Sequence, residues 1–245
     1  MYDIERQEKI LEILKKEKSC SVAKLAKRLN YSEATIRRDL NALDKELKVR
    51  KTFGGAVIFD TYGSEVPITI RRNENADIKK KLCKLASSLI KENMTIFLAT
   101  STTTEYLVPY FKLYEKLTII TTNPDVPQML SDTNHTVYST GGKYLHHSNS
   151  YVGEFARNMI RGINADIVFF SARGIGYDGK ITVSSTEDDV HNAMIANSAK
   201  SCLMADSTKF GKTYPFTICN ISEVDYVVTD KPLPPPLKHK NNVIL

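Results

Sequence analysis

Apolar residues recur with an α-helical period along the first sixty positions and, further on, gather mostly into short runs of the kind that form buried strands. Ile10, Leu11, Ile13 and Leu14 make one stripe among charges and predict a helix over 6–16. Ser21 stands where an N-cap belongs, ahead of Val22, Leu25, Ala26 and Leu29 at i, i+3, i+4 and i+7. Asn30 tolerates left-handed dihedrals and ends that helix, and Tyr31 fills a tight turn. Ser32 caps a third helix whose apolar face is Ile36, Leu40 and Leu43, with Glu33 favourably placed in its first turn. Two short helices joined by so tight a turn are a helix-turn-helix.

At about 100° per residue, Ala34, Arg38, Asn41 and Lys45 lie opposite the apolar face of the third helix, with Thr35 and Arg37 on its flanks. That surface is small, polar and basic, as a major groove requires: arginine pairs with guanine or grips phosphate, and asparagine reads adenine. Residues 46–58 give two β-like runs around Lys48, Arg50 and Lys51, a wing that would rest on the DNA backbone. The expected DNA contacts are Ser32, Thr35, Arg37, Arg38, Asn41, Lys45, Lys48, Arg50 and Lys51. A solvated basic face on a helical bundle is the competing reading, and spacing, caps and wing together outweigh it.

Residues 58–75 lack a sustained helical period and contain Gly63 and Pro67, so a linker is expected there, between a DNA-binding domain over 1–57 and a larger domain over 76–245. In the larger domain a helix over 78–90, with Leu82, Leu85, Ala86 and Leu89 on one face, leads into strands at 94–99, 117–122, 135–140, 166–172 and 201–206. Helices are expected between them over 103–113, 125–131, 153–161 and 186–199. This alternation predicts an α/β fold with a parallel sheet covered on both faces. Beyond Asp230 the run Lys-Pro-Leu-Pro-Pro-Pro-Leu excludes an α-helix and reads as an extended surface tail before Val243.

Ligands of parallel sheets bind outside the carboxyl ends of the strands, and the residues at those ends form a coherent set. They are Thr100, Ser101, Thr102, Thr103 and Thr104 entering a helix, then Asn123, then Gly141 and Gly142, then Asp206 and Lys209. Hydroxyls beside backbone N–H groups suit an anionic oxygen ligand such as phosphate, and Lys209 supplies a point charge. Gly174-Ile-Gly-Tyr-Asp-Gly179 is formally a dinucleotide fingerprint, yet Asp178-Gly179 signals a turn and 180–183 a strand, where a nucleotide site needs a helix. His146 and His147 fall in a polar loop and are expected to face solvent.

Charge sharpens this division. Of the net +6 carried by the 245 residues, the first sixty hold 14 Lys and Arg against 10 Asp and Glu, or +4; the remaining 185 hold 20 against 18, or +2. A basic terminal module on a near-neutral body fits one domain that meets phosphate backbone and one that does not. Cys20, Cys83, Cys202 and Cys219 lack zinc-ligand spacing and are expected to be free, buried thiols, so no metal and no cofactor are expected. With neither a signal-like start nor an apolar run of about 18 residues, no membrane partner is expected, and the expected location is the cytoplasm.

Leu25-Ala26, Ser32-Glu-Ala-Thr-Ile-Arg-Arg-Asp-Leu40, Arg50 and Phe53-Gly-Gly-Ala56 together resemble the winged helix-turn-helix of DeoR-type bacterial transcriptional regulators. The resemblance continues through Glu65, Pro67 and Arg71, the Thr102-Thr103 loop, Thr122-Asn123, Gly141-Gly142, Gly153, Gly179, Glu187, Met194 and Asp206 to Gly211. It implies a winged helix-turn-helix followed by an effector domain similar in fold to ribose-5-phosphate isomerase and glucosamine-6-phosphate deaminase, which usually binds a phosphorylated sugar. It also adds Glu187 to the effector residues, and implies an operator near sugar-catabolism genes and a dimer or tetramer. One departure stands out: the family's Asp-Ser-Gly-Thr-Thr loop is here Ala99-Thr-Ser-Thr-Thr. The expected function is therefore a sugar-phosphate-responsive repressor without catalysis; the rival is a sugar-phosphate isomerase or deaminase carrying a basic extension.

Overall fold

The computed structural model describes residues 3–17, 19–45, 48–52, 54–58, 68–184, 190–237 and 242–245. It divides into two compact units, residues 1–74 and 75–245. In the first, helices α1 (Asp3–Glu17), α2 (Val22–Leu29) and α3 (Glu33–Lys45) pack around Ile10, Leu14, Leu25, Ile36, Leu40 and Leu43. The caps lie where the sequence puts them: Ser21 accepts the Lys24 N–H, Asn30 closes α2 at φ 57°, and the Ser32 hydroxyl accepts the Thr35 N–H at 3.1 Å.

The wing is a hairpin of β2 (Val49–Thr52) and β3 (Gly55–Ile58), joined by a strand the sequence reading lacked, β1 (Ser19–Ser21), antiparallel to β3. The approach of β1 leaves no space for a side chain at Gly55, where a Cβ would lie 2.4 Å from the Cys20 carbonyl oxygen. Glu46, Leu47, Phe53 and residues 59–67, with Glu65 and Pro67, lie outside the described residues. The expected linker also holds a helix, α4 (Ile68–Asn73), whose six residues are too few to set up a visible period.

The second unit is built on seven parallel strands: β4 (Thr95–Leu98), β5 (Thr118–Thr121), β6 (Thr136–Ser139), β9 (Ala165–Phe170), β12 (Ser198–Met204), β14 (Tyr226–Val228) and β15 (Val243–Ile244). Their order is β15-β14-β12-β9-β4-β5-β6. One face packs Leu98, Ile119, Phe169 and Met204 against α5 (Ala76–Ala86), α6 (Val108–Phe111) and α7 (Val126–Met129). The other packs Phe97, Ile120, Phe170 and Leu203 against α8 (Glu154–Arg161) and α9 (Val190–Ala196). No described helix is long and apolar enough to cross a membrane.

Four details depart from expectation. The helix expected over 103–113 is a 3₁₀ turn, Thr104–Leu107, running into the short α6, which carries Pro109 in its first turn. After the glycine pair comes a hairpin, β7 (Lys143–Leu145) and β8 (Ser150–Val152), too short to show alternation in the sequence. The helix expected over 186–199 ends at Ala196, because the Asn197 amide and Ser198 hydroxyl donate to the carbonyls of Ala193 and Met194; residues 185–189 lie outside the described residues. The proline-rich tail runs along the surface with Lys231, Pro232, Pro235 and Pro236 exposed, but it is anchored in a way the sequence reading lacked. Leu233 and Leu237 are buried in the core, Pro235–Leu237 makes a 3₁₀ turn, and β15 extends the sheet, since proline forbids an α-helix without preventing burial of the leucines between.

A small antiparallel sheet of β10 (Gly174–Ile175), β11 (Lys180–Val183) and β13 (Phe216–Asn220) disposes of the glycine-rich string: it turns between two strands and opens no helix. Cys20, Cys83 and Cys202 are buried free thiols and Cys219 is half-buried. His146 and His147 are exposed.

Candidate nucleic-acid interface and effector site

On α3, Ile36, Leu40 and Leu43 are buried, while Ala34, Arg37, Arg38, Asn41 and Lys45 are exposed and Thr35 is half-buried. The polar groups on this face are not equivalent. Ser32 and Thr35 are occupied at the helix start, their hydroxyls 2.9 Å apart. Arg37 is held by Glu33 one turn earlier at 3.0 Å. Lys51 of the wing reaches the Asn41 side-chain oxygen with its ammonium, and its backbone N–H donates to Asp44 at 3.0 Å, so α3 itself positions the wing. Arg50 lies 3.9 Å from Glu74. The Lys48 side chain is exposed, and its N–H donates to the Leu43 carbonyl at 2.9 Å. Arg38 and Lys45 carry no hydrogen bond or ion pair among the described residues.

Sequence reasoning missed what anchors this helix. Asp39 is only 3% exposed and receives Arg6 of α1 in a two-pronged pair, Nε to Oδ2 at 2.5 Å and Nη2 to Oδ1 at 2.9 Å. The same guanidinium lies 4.8 Å from the ring centre of Tyr31, in the turn between α2 and α3. One side chain thereby ties the first helix, the turn and the recognition-type helix together. The Arg-Asp spacing of 33 residues leaves no periodic trace.

In the second unit the chain runs from β4 to β5 and β6 on one side, whereas β9, β12, β14 and β15 lie on the other. The strand order therefore reverses between β4 and β9, where a parallel sheet opens a crevice at its carboxyl edge. The Thr100–Thr104 loop leaves β4 at this point. Its Ser101 hydroxyl accepts the N–H groups of Thr103 and Thr104 at 3.2 and 2.9 Å, and Thr104 donates to the Ala99 carbonyl at 2.7 Å. The Thr100 and Thr122 hydroxyls are 2.8 Å apart, linking this loop to the one after β5. Ala99 is fully buried, its N–H donating to the Phe169 carbonyl at 3.0 Å.

Asn123, 2% exposed, shapes its own turn by accepting the Asp125 N–H at 2.9 Å. Asn149 in the hairpin turn donates to Asp125 at 2.8 Å and accepts from Tyr144 at 2.7 Å, which fixes the hairpin over this corner. Gly141 and Gly142 have φ of 61° and 110°, and a Cβ on Gly142 would meet the Val152 carbonyl at 2.7 Å. Asp206 is 1% exposed and caps the turn that carries Lys209 by accepting the Thr208 N–H at 3.0 Å. The Asp206–Lys209 segment follows β12, which β9 separates from β4, so it flanks the threonine loop at about 10 Å rather than abutting it. Between the two lie Ser171 and Arg173, which follow β9 and were not among the expected site residues. Glu187 lies outside the described residues.

Helix α5 adds two further groups. Its buried residues are Lys79, Leu82, Cys83 and Ala86, so the stripe begins with a lysine, one turn before the residue expected to open it. The Lys79 ammonium donates to the Thr102 hydroxyl at 3.1 Å and the Cys83 thiol to the Thr103 carbonyl at 3.1 Å. Burial pushes the Cys83 thiol well above its ordinary pKa, keeping it a donor.

Residues 6–62 match the family model of the DeoR-like helix-turn-helix domain, and residues 74–231 that of the DeoR C terminal sensor domain. A similar protein is the uncharacterized HTH-type transcriptional regulator YgbI of Escherichia coli, 31% identical, with 96% of this chain and 92% of that protein covered. The lactose phosphotransferase system repressor of Staphylococcus aureus is 30% identical over 92% of this chain and 91% of its own. Among solved structures, ribose 5-phosphate isomerase A of Methanocaldococcus jannaschii aligns with a TM-score of 0.39 and 16% identity, covering 56% of this chain and 55% of that one.

Proposed function

The chain belongs to the DeoR family of transcriptional regulators, and on that premise we propose that it is a repressor whose hold on its operator is released by a phosphorylated sugar. The observation that carries the DNA half is the exposed Arg38, unpaired among the described residues, at the centre of a helix whose other polar side chains are partly engaged. In this reading Arg38 meets a base edge; Arg37, Lys45, Lys48, Arg50 and Lys51 meet phosphates, and Asn41 a base once Lys51 turns outward to the backbone. A two-fold operator calls for two such helices, hence at least a dimer.

The effector half rests on the hydroxyl loop Thr100–Thr104 at the point where strand order reverses, with Asn123, Gly141, Gly142, Asp206 and Lys209 around the same edge. The staphylococcal relative, a lactose phosphotransferase system repressor, supports both repression and a sugar-related signal. Conversion of the sugar is not part of the proposal. Ala99 presents no carboxylate at the loop, and Asp206 accepts the Thr208 N–H through Oδ1, so neither supplies an obvious acid-base group beside the threonine loop.

Mobility shifts on the chain's own promoter test both halves. Arg38→Ala is expected to weaken operator binding by roughly 1–3 kcal/mol and to relax discrimination at one base pair. A panel of phosphorylated sugars should contain one that releases the wild-type complex and emerges unchanged. Wild-type operator affinity in Arg38→Ala, or turnover of a panel compound, would overturn the corresponding half.

A further inference from the structure

We infer that the outer face of α8 is a docking surface for a second copy of this chain, two α8 helices packing antiparallel across a two-fold axis. A two-fold operator already calls for a dimer in the reading above, and α8 gives that dimer a surface in the second unit. The helix buries Ala156 and Ile160 and turns Phe155, Asn158 and, at its end, Gly162 to solvent, with Met159 half-buried beside them. Phe155 is 82% exposed, more than any other large apolar side chain among the described residues. One exposed phenylalanine is ordinary on a protein surface; what lies seven residues further along the same stripe is not. Glycine commonly ends a helix because it accepts left-handed backbone, and Gly162 does not use that freedom. Its φ of −83° and ψ of 1° suit any residue, and a Cβ there would come no nearer than 3.5 Å to its closest neighbour, the Met159 carbonyl oxygen. Neither conformation nor packing within the chain calls for glycine at this point, so the recess it leaves is open to a group from outside.

An antiparallel pair centred between Asn158 and Met159 sets the Phe155 ring of each copy on the partner's Gly162, so that one ring and one recess are matched twice. A parallel pair would instead stack ring on ring and glycine on glycine. The charges select the same arrangement. Glu154 and Arg161 each precede a stripe position, so they share one flank of the helix, their side chains 57% and 58% exposed. In an antiparallel pair like flanks meet, which brings Glu154 against the partner's Arg161 and Arg161 against the partner's Glu154. Within one chain these two are loosely joined, Nη1 to Oε1 at 3.4 Å, while Arg157 holds the other Glu154 oxygen and keeps the carboxylate oriented. A helix of eight residues supplies less than the roughly 1,200 Å² in total that stable interfaces bury, so the contact is modest in solution and gains from two half-sites on one operator.

Sedimentation of the full chain over a concentration series, without DNA, reads the monomer-dimer equilibrium. Phe155→Gln removes the ring and Gly162→Gln fills its seat; each is expected to weaken the dimer at least tenfold. Both positions face solvent, so thermal melts of these variants should match wild type. Glu154→Arg and Arg161→Glu should each weaken the dimer alone, since each sets like charges together. An equimolar mixture of those two variants is expected to recover most of the wild-type association, because every facing pair is then opposite in sign. Such recovery cannot arise from a change inside either chain. The assignment is overturned if wild type stays monomeric across the series, if Phe155→Gln and Gly162→Gln dimerise as wild type does, or if the mixture associates no better than its components. Dimers that survive every variant would remove α8 and leave the two-fold operator reading standing, whereas a wild-type chain that binds its operator as a single copy would remove both.

Discussion

Asp39 is the residue whose burial the helical period explains least. It sits beside the stripe of Ile36, Leu40 and Leu43 yet carries a charge, and the sequence offered only its place in the TIRRDL string. Its partner Arg6 lies in another helix, and Tyr31 covers the pair, so the role emerges only when three segments fold together. Removing either member takes this partner from the other's buried charge, and Arg6→Ala or Asp39→Ala is expected to cost about 3–5 kcal/mol of stability in the first unit. Replacing both, as Arg6→Met with Asp39→Leu, should recover most of that loss because no orphan charge remains. Urea titrations of the three variants decide: if the double replacement is as unstable as the singles added together, the pair is not acting as a buried couple. Lys79 was hidden for a related reason. It is in phase with Leu82, Cys83 and Ala86 at i, i+3, i+4 and i+7, but a lysine at the end of a stripe ordinarily reads as solvated.

Among the elements, those with local determinants were legible and those with distant ones were not. The helices α2 and α3 were readable because caps and apolar period occur within a dozen residues, and the core strands because runs such as Thr-Ile-Phe-Leu leave little alternative. β1 and β15 have three and two residues and exist only through their neighbours. The C-terminal segment shows how a correct local inference can mislead: prolines do exclude an α-helix, but Leu233 and Leu237, 5% and 7% exposed, are core residues nevertheless. Leu233→Ala is accordingly expected to cost about 2–5 kcal/mol, the range for emptying a buried leucine site. Thermal melts of the full chain check this, and a variant within about 0.5 kcal/mol of wild type would remove Leu233 from the core.

At the scale of the whole molecule, the class of fold followed from strand-helix alternation, but the crevice did not, because it depends on strand order. The order β12-β9-β4 places Ser171 and Arg173, after β9, between the two expected halves of the effector site, and no sequence pattern marks them as site residues. This makes coupling between effector and operator testable at positions far from the recognition-type helix in sequence. A ligand changes operator affinity only by the ratio of its affinities for the DNA-competent and incompetent forms. Lys209 contributes to that ratio if it touches the ligand, and contributes nothing if it merely ends a turn or pairs with a neighbouring carboxylate. Lys209→Ala is therefore expected to reduce the ligand-induced loss of operator affinity at least tenfold, equivalent to about 1.4 kcal/mol of coupling. Arg173→Ala, between the two halves, should act in the same direction. The measurement is operator affinity at zero and saturating ligand for each variant, together with direct ligand binding in the absence of DNA. By reciprocity, any loss of coupling must appear equally in the effect of operator on ligand affinity. A Lys209→Ala protein that releases operator at the wild-type ligand concentration would remove Lys209 from the effector site and leave the crevice between β4 and β9 to account for the response.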